Sequence, residues 1–128
     1  MKIKIRKTSG GVIYEVEYPD HITTRGQQLG YAVREAYDKN WSLNGVDLSG
    51  VYLQRAVMRR VNMEGAKLRG ADLTGADFRF ANLTNADISF VELSGCSFEG
   101  ADLQGVDFTG SNIEDANLKM ANVKNTKR

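Results

Sequence analysis

From residue 41 onward, apolar and polar positions alternate with a period of five. A large apolar side chain stands at residue 43, 48, 53 and every fifth position to 123, which makes 17 positions. Nine are Leu, three are Phe (Phe78, Phe98, Phe108), two are Met, two are Ile and the last is Val123. Two residues before each comes a smaller one, nine Ala and five Val, with Trp41, Cys96 and Ser111 as the exceptions. The residue between the two is Asp or Asn in eleven repeats, and Gly stands two residues after the large one in nine. A helix advances about 100° per residue, so a five-residue period would scatter these positions around its axis. A flat strand would send successive large residues to opposite faces.

The pattern is satisfied by a short extended segment followed by a corner. The small and large residues, two apart, then point to one side, and glycine eases the turn. Repeated corners wind the chain into a coil, and coils stack at strand spacing of about 4.8 Å. Spacing alone leaves three or four repeats per coil open. Four is favoured because Phe78 and Phe98 would then stack inside and Arg59 and Arg79 outside.

The first forty residues do not share the repeat. Ile3 and Ile5 alternate with Lys2, Lys4 and Arg6, and Val12, Tyr14 and Val16 alternate with Ile13, Glu15 and Glu17. Thr8-Ser9-Gly10-Gly11 between them predicts a hairpin that pairs Lys4 with Glu15, Lys2 with Glu17, Ile5 with Tyr14 and Ile3 with Val16. Thr24 and Gln27 fit a capping box, and Leu29, Ala32, Val33 and Ala36 recur at helical spacing, predicting a helix over about 25–39. Hairpin and helix together would cap the first coil, with Trp41 closing the open end against the helix.

The run Ala71-Asp72-Leu73-Thr74-Gly75-Ala76-Asp77-Phe78, continued in Ala81-Asn82-Leu83 and Ala86-Asp87-Ile88, resembles the pentapeptide-repeat family, whose consensus is Ala-(Asp/Asn)-Leu-x-x. The resemblance covers residues 41–125. It implies an all-β solenoid, a right-handed quadrilateral β-helix of about four coils and roughly 20 Å in length at strand spacing. The expected organisation is a hairpin and helix cap at 1–40, the β-helix at 41–125 and a basic tail at 126–128.

Composition narrows the function classes. Seventeen Lys and Arg against sixteen Asp and Glu leave a net charge of +1, so direct nucleic-acid binding is not expected. One cysteine argues against a disulfide framework, no apolar run reaches membrane-spanning length, and the N-terminus lacks a signal-peptide core; a cytoplasmic setting is expected. His21 has no second His or cysteine cluster to form a metal or catalytic site with, and Cys96 falls in an inward slot that suits an inert thiol. No catalytic residue, cofactor or metal site is predicted.

Charge is nevertheless segregated. Arg55, Arg59, Arg60, Lys67 and Arg69 against Glu64 leave +4 over residues 55–69. Nine acids against Arg79 leave −8 over 71–118, and Lys119, Lys124, Lys127 and Arg128 return +4. With four repeats per coil, Asp72 stacks with Glu92 and Asp87 with Asp107. These form a candidate DNA-mimic surface. The family resemblance implies such a role, since some members bind DNA gyrase as DNA mimics and protect it from quinolone-type poisons or inhibit it like them. The partner expected on this reading is a DNA-acting protein such as a topoisomerase or nuclease. A second candidate is an edge carrying Arg59, Arg60, Arg79, Phe80 and Met120, whose mixture of Arg and aromatics suits an adaptor or scaffold contact. Leu118 and Val123 in the last coil have little to cover them and mark a candidate end for a homodimer.

Overall fold

The computed structural model describes all residues, 1–128. β1 (Lys2–Lys7) and β2 (Val12–Glu17) form an antiparallel hairpin in which Lys2 faces Glu17, Ile3 faces Val16, Lys4 faces Glu15 and Ile5 faces Tyr14. That is the register in which both apolar and charge pairing agree. The ion pair runs diagonally instead of straight across, from Lys2 Nζ to Glu15 at 3.9 Å. Helix α1 (Arg25–Asp38) begins with the Thr24–Gln27 capping box and buries Leu29, Ala32, Val33 and Ala36. It ends where Asn40 takes the left-handed conformation, φ 56°.

β3 (Val46–Asp47) opens the solenoid. Beyond it, single parallel bridges join residues twenty apart: Tyr52 to Asp72 to Glu92, Val57 to Asp77 to Ser97 to Asn117, and likewise on the other two faces. Four five-residue repeats therefore complete each turn. Every large position from Leu43 to Phe108 is at most 2% exposed. Phe78 and Phe98 stack inside with ring centroids 5.8 Å apart, and Phe108 meets Phe98 edge-on at 6.2 Å.

The polar position between small and large has a local structural role. Asp72, Asp87 and Asp107 each accept hydrogen bonds from the backbone N–H and the hydroxyl of the residue two further on, Thr74, Ser89 and Thr109. A short side chain bonding forward in this way stabilises the corner. Seven corners without glycine in the solenoid, among them Arg55, Arg60, Phe80, Phe90 and Met120, are also held at φ between 55° and 60°. One face of the last turn departs from the ladder. There Asn112 caps a short 3₁₀ turn (Ile113–Asp115), and the Ser111 hydroxyl donates to the Ile88 carbonyl at 2.6 Å.

The N-terminal segment covers part of the first coil's edge by hydrogen bonding to it. β1 pairs with β3, Arg6 opposite Asp47 and Lys7 opposite Val46. The Tyr52 N–H donates to the Gly26 carbonyl at 3.0 Å. The Arg34 guanidinium donates to the carbonyls of Tyr52 and Gln54, at 3.3 and 3.1 Å. The Tyr37 hydroxyl donates to the Arg59 carbonyl at 2.8 Å. Trp41 closes a different contact from the one expected: its ring stacks on Tyr14 of β2, centroids 4.5 Å apart, with the Lys39 ammonium 4.9 Å from it. The hairpin, not the helix, lies over that corner of the coil, because β1 extends the sheet through β3.

At the far end Ile113, Ala116, Leu118 and Ala121 are half-buried, and Val123 is 37% exposed.

Candidate protein-binding surfaces

Two columns of side chains depart from the buried-inside, Asp-outside scheme, and two short acidic stacks follow it. The first runs down one corner. The Arg60 guanidinium lies 5.2 Å from the centre of the Phe80 ring, and that ring lies flat over Gly100, where an added Cβ would come within 2.5 Å of it. Phe80 remains 49% exposed and Met120, further along the same corner, 76%. The column is an exposed aromatic held between a cation and a glycine.

Arg59 and Arg79 stand beside this corner and turn to one carboxylate. Both donate to Asp77, Arg79 through Nε and Nη2 at 3.0 and 2.9 Å. The hydrogen bonds from Arg79, with those from Arg59, hold the Asp77 carboxyl well below the usual carboxylate range, and Asp77 raises Arg79 in return. The five residues of the expected edge thus divide. Arg60, Phe80 and Met120 form the exposed column, and Arg59 and Arg79 share the Asp77 carboxylate on the adjoining face.

The second column is its counterpart on another corner. Arg69 lies 4.5 Å from the centre of the Phe90 ring and donates to the Ser89 hydroxyl at 3.3 Å, while Phe90 covers Gly110. Phe90 stands in the corner slot that glycine fills in nine repeats. Its cation was missed, although a residue 21 positions earlier sits above it once the turn is known to hold twenty.

The acidic stacks lie on two faces. Asp72 is bridged to Glu92, and Asp87 to Asp107, as the spacing predicts. Each pair is short. Lys67 precedes Asp87 and Lys127 follows Asp107 on one face, and Tyr52 precedes Asp72 on the other. Burial pushes the Asp72 carboxyl up, but bonds from Thr74 and Gln54 outweigh it and bring it below its ordinary value. The Thr109 hydroxyl and N–H lower Asp107. Asp72, Asp87 and Asp107 are engaged in corner bonds, and Glu92 is not.

Neither residue considered for chemistry joins a cluster. His21 is exposed on the rim of a hollow of about 360 Å³ between α1 and Tyr52. Cys96 is buried, and burial pushes its thiol up to about 12. No group of three His, Cys, Asp or Glu side chains is placed to hold a metal ion, and no helix is long and apolar enough to cross a membrane.

A turn of four pentapeptides with a Leu-rich interior defines a class of repeat protein, and comparison with known proteins agrees. The family profile described as pentapeptide repeats matches residues 42–79, 62–100 and 92–127 in eight copies. The chain belongs to the pentapeptide-repeat family, whose members fold as right-handed quadrilateral β-helices and are generally non-enzymatic structural or interaction proteins. Among solved structures it is similar to a pentapeptide repeat protein of the Arabidopsis thaliana thylakoid lumen, 35% identical with a TM-score of 0.63 over 66% of this chain and 59% of that one. HetL from the cyanobacterium Nostoc sp. strain PCC 7120, involved in heterocyst differentiation regulation, is 36% identical with a TM-score of 0.58 over 63% and 40%. A further Nostoc pentapeptide repeat protein is 33% identical with a TM-score of 0.60 over 71% and 72%. The chain thus spans less than two thirds of the length of the first two. No curated protein matches it significantly.

Proposed function

We propose that this chain is a non-enzymatic protein-binding solenoid of about four coils that engages a protein partner through the corner carrying Arg60, Phe80 and Met120. In this reading residues 1–40 are the cap, 41–125 the binding rod and 126–128 a basic tail, and the chain works in the cytoplasm with Cys96 reduced. The observation that carries it is the Arg60–Phe80–Gly100 stack. An aromatic already held in one orientation has little freedom to lose on binding, and Arg with an aromatic is the pairing that dominates interface energetics. The half-exposed Phe80 ring costs solubility in the free rod, and a partner that covers it recovers that cost.

The stacked carboxylates support a second reading, DNA mimicry toward a DNA-acting protein. Asp72 bridged to Glu92 and Asp87 bridged to Asp107 present acidic pairs at strand spacing. Lys67, Arg69 and Lys127 interrupt that surface, which is why the corner is preferred. The open last coil at Leu118 and Val123 would serve a homodimer on either reading.

Partner capture from host lysate separates the two. Wild type is compared with Phe80→Ala and with a chain carrying Asp72→Asn, Asp87→Asn, Glu92→Gln and Asp107→Asn. The expected result is one partner lost with Phe80→Ala, kept by the neutralised chain, and kept at about 1 M salt, where the screening length is about 3 Å. Loss with the neutralised chain and with salt, but not with Phe80→Ala, would overturn the corner reading in favour of mimicry.

A further inference from the structure

The backbone edge of the first coil is only partly hydrogen-bonded. In each turn the residue between small and large offers its N–H and C=O along the rod axis. At Asp47 these groups pair with β1, and at Tyr52 with Gly26 and Arg34. Val57 and Asn62 occupy the same position on the next two faces, and they bridge only forward, to Asp77 and Asn82. The helix passes beside this edge without bonding it: Arg34 reaches the Gln54 carbonyl before Val57 and Tyr37 the Arg59 carbonyl after it, and the Val57 and Asn62 backbone groups stay free. Its last contact is the Tyr37 hydroxyl on the Arg59 carbonyl. On either side of that strut lies a hollow. One, about 320 Å³, is lined by Arg34, Tyr37, Asp38, Arg55 and Val57. The other, about 530 Å³, is lined by Tyr37, Trp41, Arg59, Arg60 and Asn62.

We infer that this open edge receives a short extended acidic segment of a partner protein, which adds to the first coil at Val57 as the missing strand. The backbone groups of Val57 supply the pairing, as at any unpaired sheet edge. Val57 is 57% exposed, an apolar residue in a slot filled elsewhere by Asp or Asn, and it offers a dry contact beside the new strand.

Charge selects the occupant. The corner residues on either side of Val57 are Arg55 and Arg60, and neither makes an ion pair. Arg34, bonded to the Tyr52 and Gln54 carbonyls, and Arg59, paired with Asp77, add to the lining of these hollows, and Asp38 is the acid in it. A second copy stacked head to tail would bring against these arginines a last coil whose Lys119, Lys124, Lys127 and Arg128 outnumber Glu114 and Asp115, net positive on positive. An acidic strand meets no such repulsion. This inference stands apart from the Phe80 corner, because it rests on backbone groups and on Arg55.

The test is a fluorescence-anisotropy titration of the full chain with a short, end-blocked, dye-labelled peptide of alternating Glu and Val, with a Lys and Val peptide as control. The Glu–Val peptide is expected to bind and the Lys–Val peptide not. Arg55→Gln should weaken binding about tenfold, the scale of a lost charge-assisted contact. Val57→Pro, a substitution an edge position tolerates, removes the N–H and should abolish binding while leaving the melting temperature near wild type. Phe80→Ala should leave it unchanged. Hydrogen exchange at the Val57 amide of the wild-type chain should slow on adding peptide, a readout that does not depend on any variant folding. The proposal is overturned if neither peptide binds, if both bind alike, or if the Val57 amide stays unprotected. Protection that grows with protein concentration in the absence of peptide also overturns it, since the occupant is then a second copy.

Discussion

The backbone of Gly30 lies against the carbonyl oxygen of Tyr52, so close that a Cβ on residue 30 would overlap that oxygen. One turn earlier Gly26 makes a similar approach, where a Cβ would stand 2.8 Å from the Gly50 carbonyl oxygen. Two glycines four apart on one face of α1 let the helix settle onto the first coil, and the obstruction at both is backbone, which cannot rotate away.

Gly30→Ala is therefore expected to destabilise the protein by about 2 kcal/mol or more, despite the better helix propensity of Ala, because overpacking against a fixed carbonyl outweighs it. Chemical denaturation of the variant measures this. Unchanged stability would mean that the helix is not seated on Tyr52.

The phenylalanines divide by position. Phe98 is fully buried between Phe78 and Phe108, so Phe98→Ala should cost about 3–5 kcal/mol. Phe80, 49% exposed, should cost far less, about 1 kcal/mol or below. Thermal melts of the two variants under one set of conditions compare them directly.

Arg55 holds φ 58° without an ion pair or an aromatic partner. An L-residue in that conformation costs about 1–2 kcal/mol and glycine does not. Arg55→Gly should then raise stability by about 1 kcal/mol, seen as a higher denaturation midpoint with unchanged slope.

Acid should unfold the rod through its corners. Asp47, Asp72, Asp77 and Asp107 all have carboxyls held below their ordinary value. A depressed folded-state pKa adds stability that is fully present above the unfolded-state value of about 3.9 and is lost as pH falls through the folded values. Melting temperature should be flat down to about pH 5 and fall below about pH 4. Asp77→Asn should lower it at neutral pH and make the acid limb shallower.

Cys96 is buried with its thiol raised to about 12. Because the thiolate is the nucleophile, alkylation at pH 8 should be slow in the folded chain and should reach ordinary rates only in denaturant. Mass spectrometry over time distinguishes the two.

Much of this architecture was legible before any coordinates. The hairpin register of Ile3 with Val16 and Ile5 with Tyr14, the Thr24–Gln27 cap and the inward positions from Leu43 to Phe108 are set by periodicity and short-range pairing, which depend on neighbours in the chain. The stacking of Asp72 on Glu92 and Arg60 on Phe80 needed one further quantity, the twenty-residue turn, and followed once it was known. The diagonal Lys2–Glu15 pair and the Trp41–Tyr14 stack escaped, because they depend on side-chain reach and on where the hairpin lies.

The sequence by itself determined that this chain winds into stacked coils with its large residues inside, since a five-residue period of small, polar and large residues fits neither a helix nor a flat strand. The bridges between residues twenty apart made those coils four-sided. Only the tertiary structure decided which backbone edges of the first coil the cap satisfies and which it leaves open. That depends on the path of a fourteen-residue helix over the coil, which bonds it at Gln54 through Arg34 and at Arg59 through Tyr37 and leaves Val57 between them unbonded, a path no local pattern in the chain encodes.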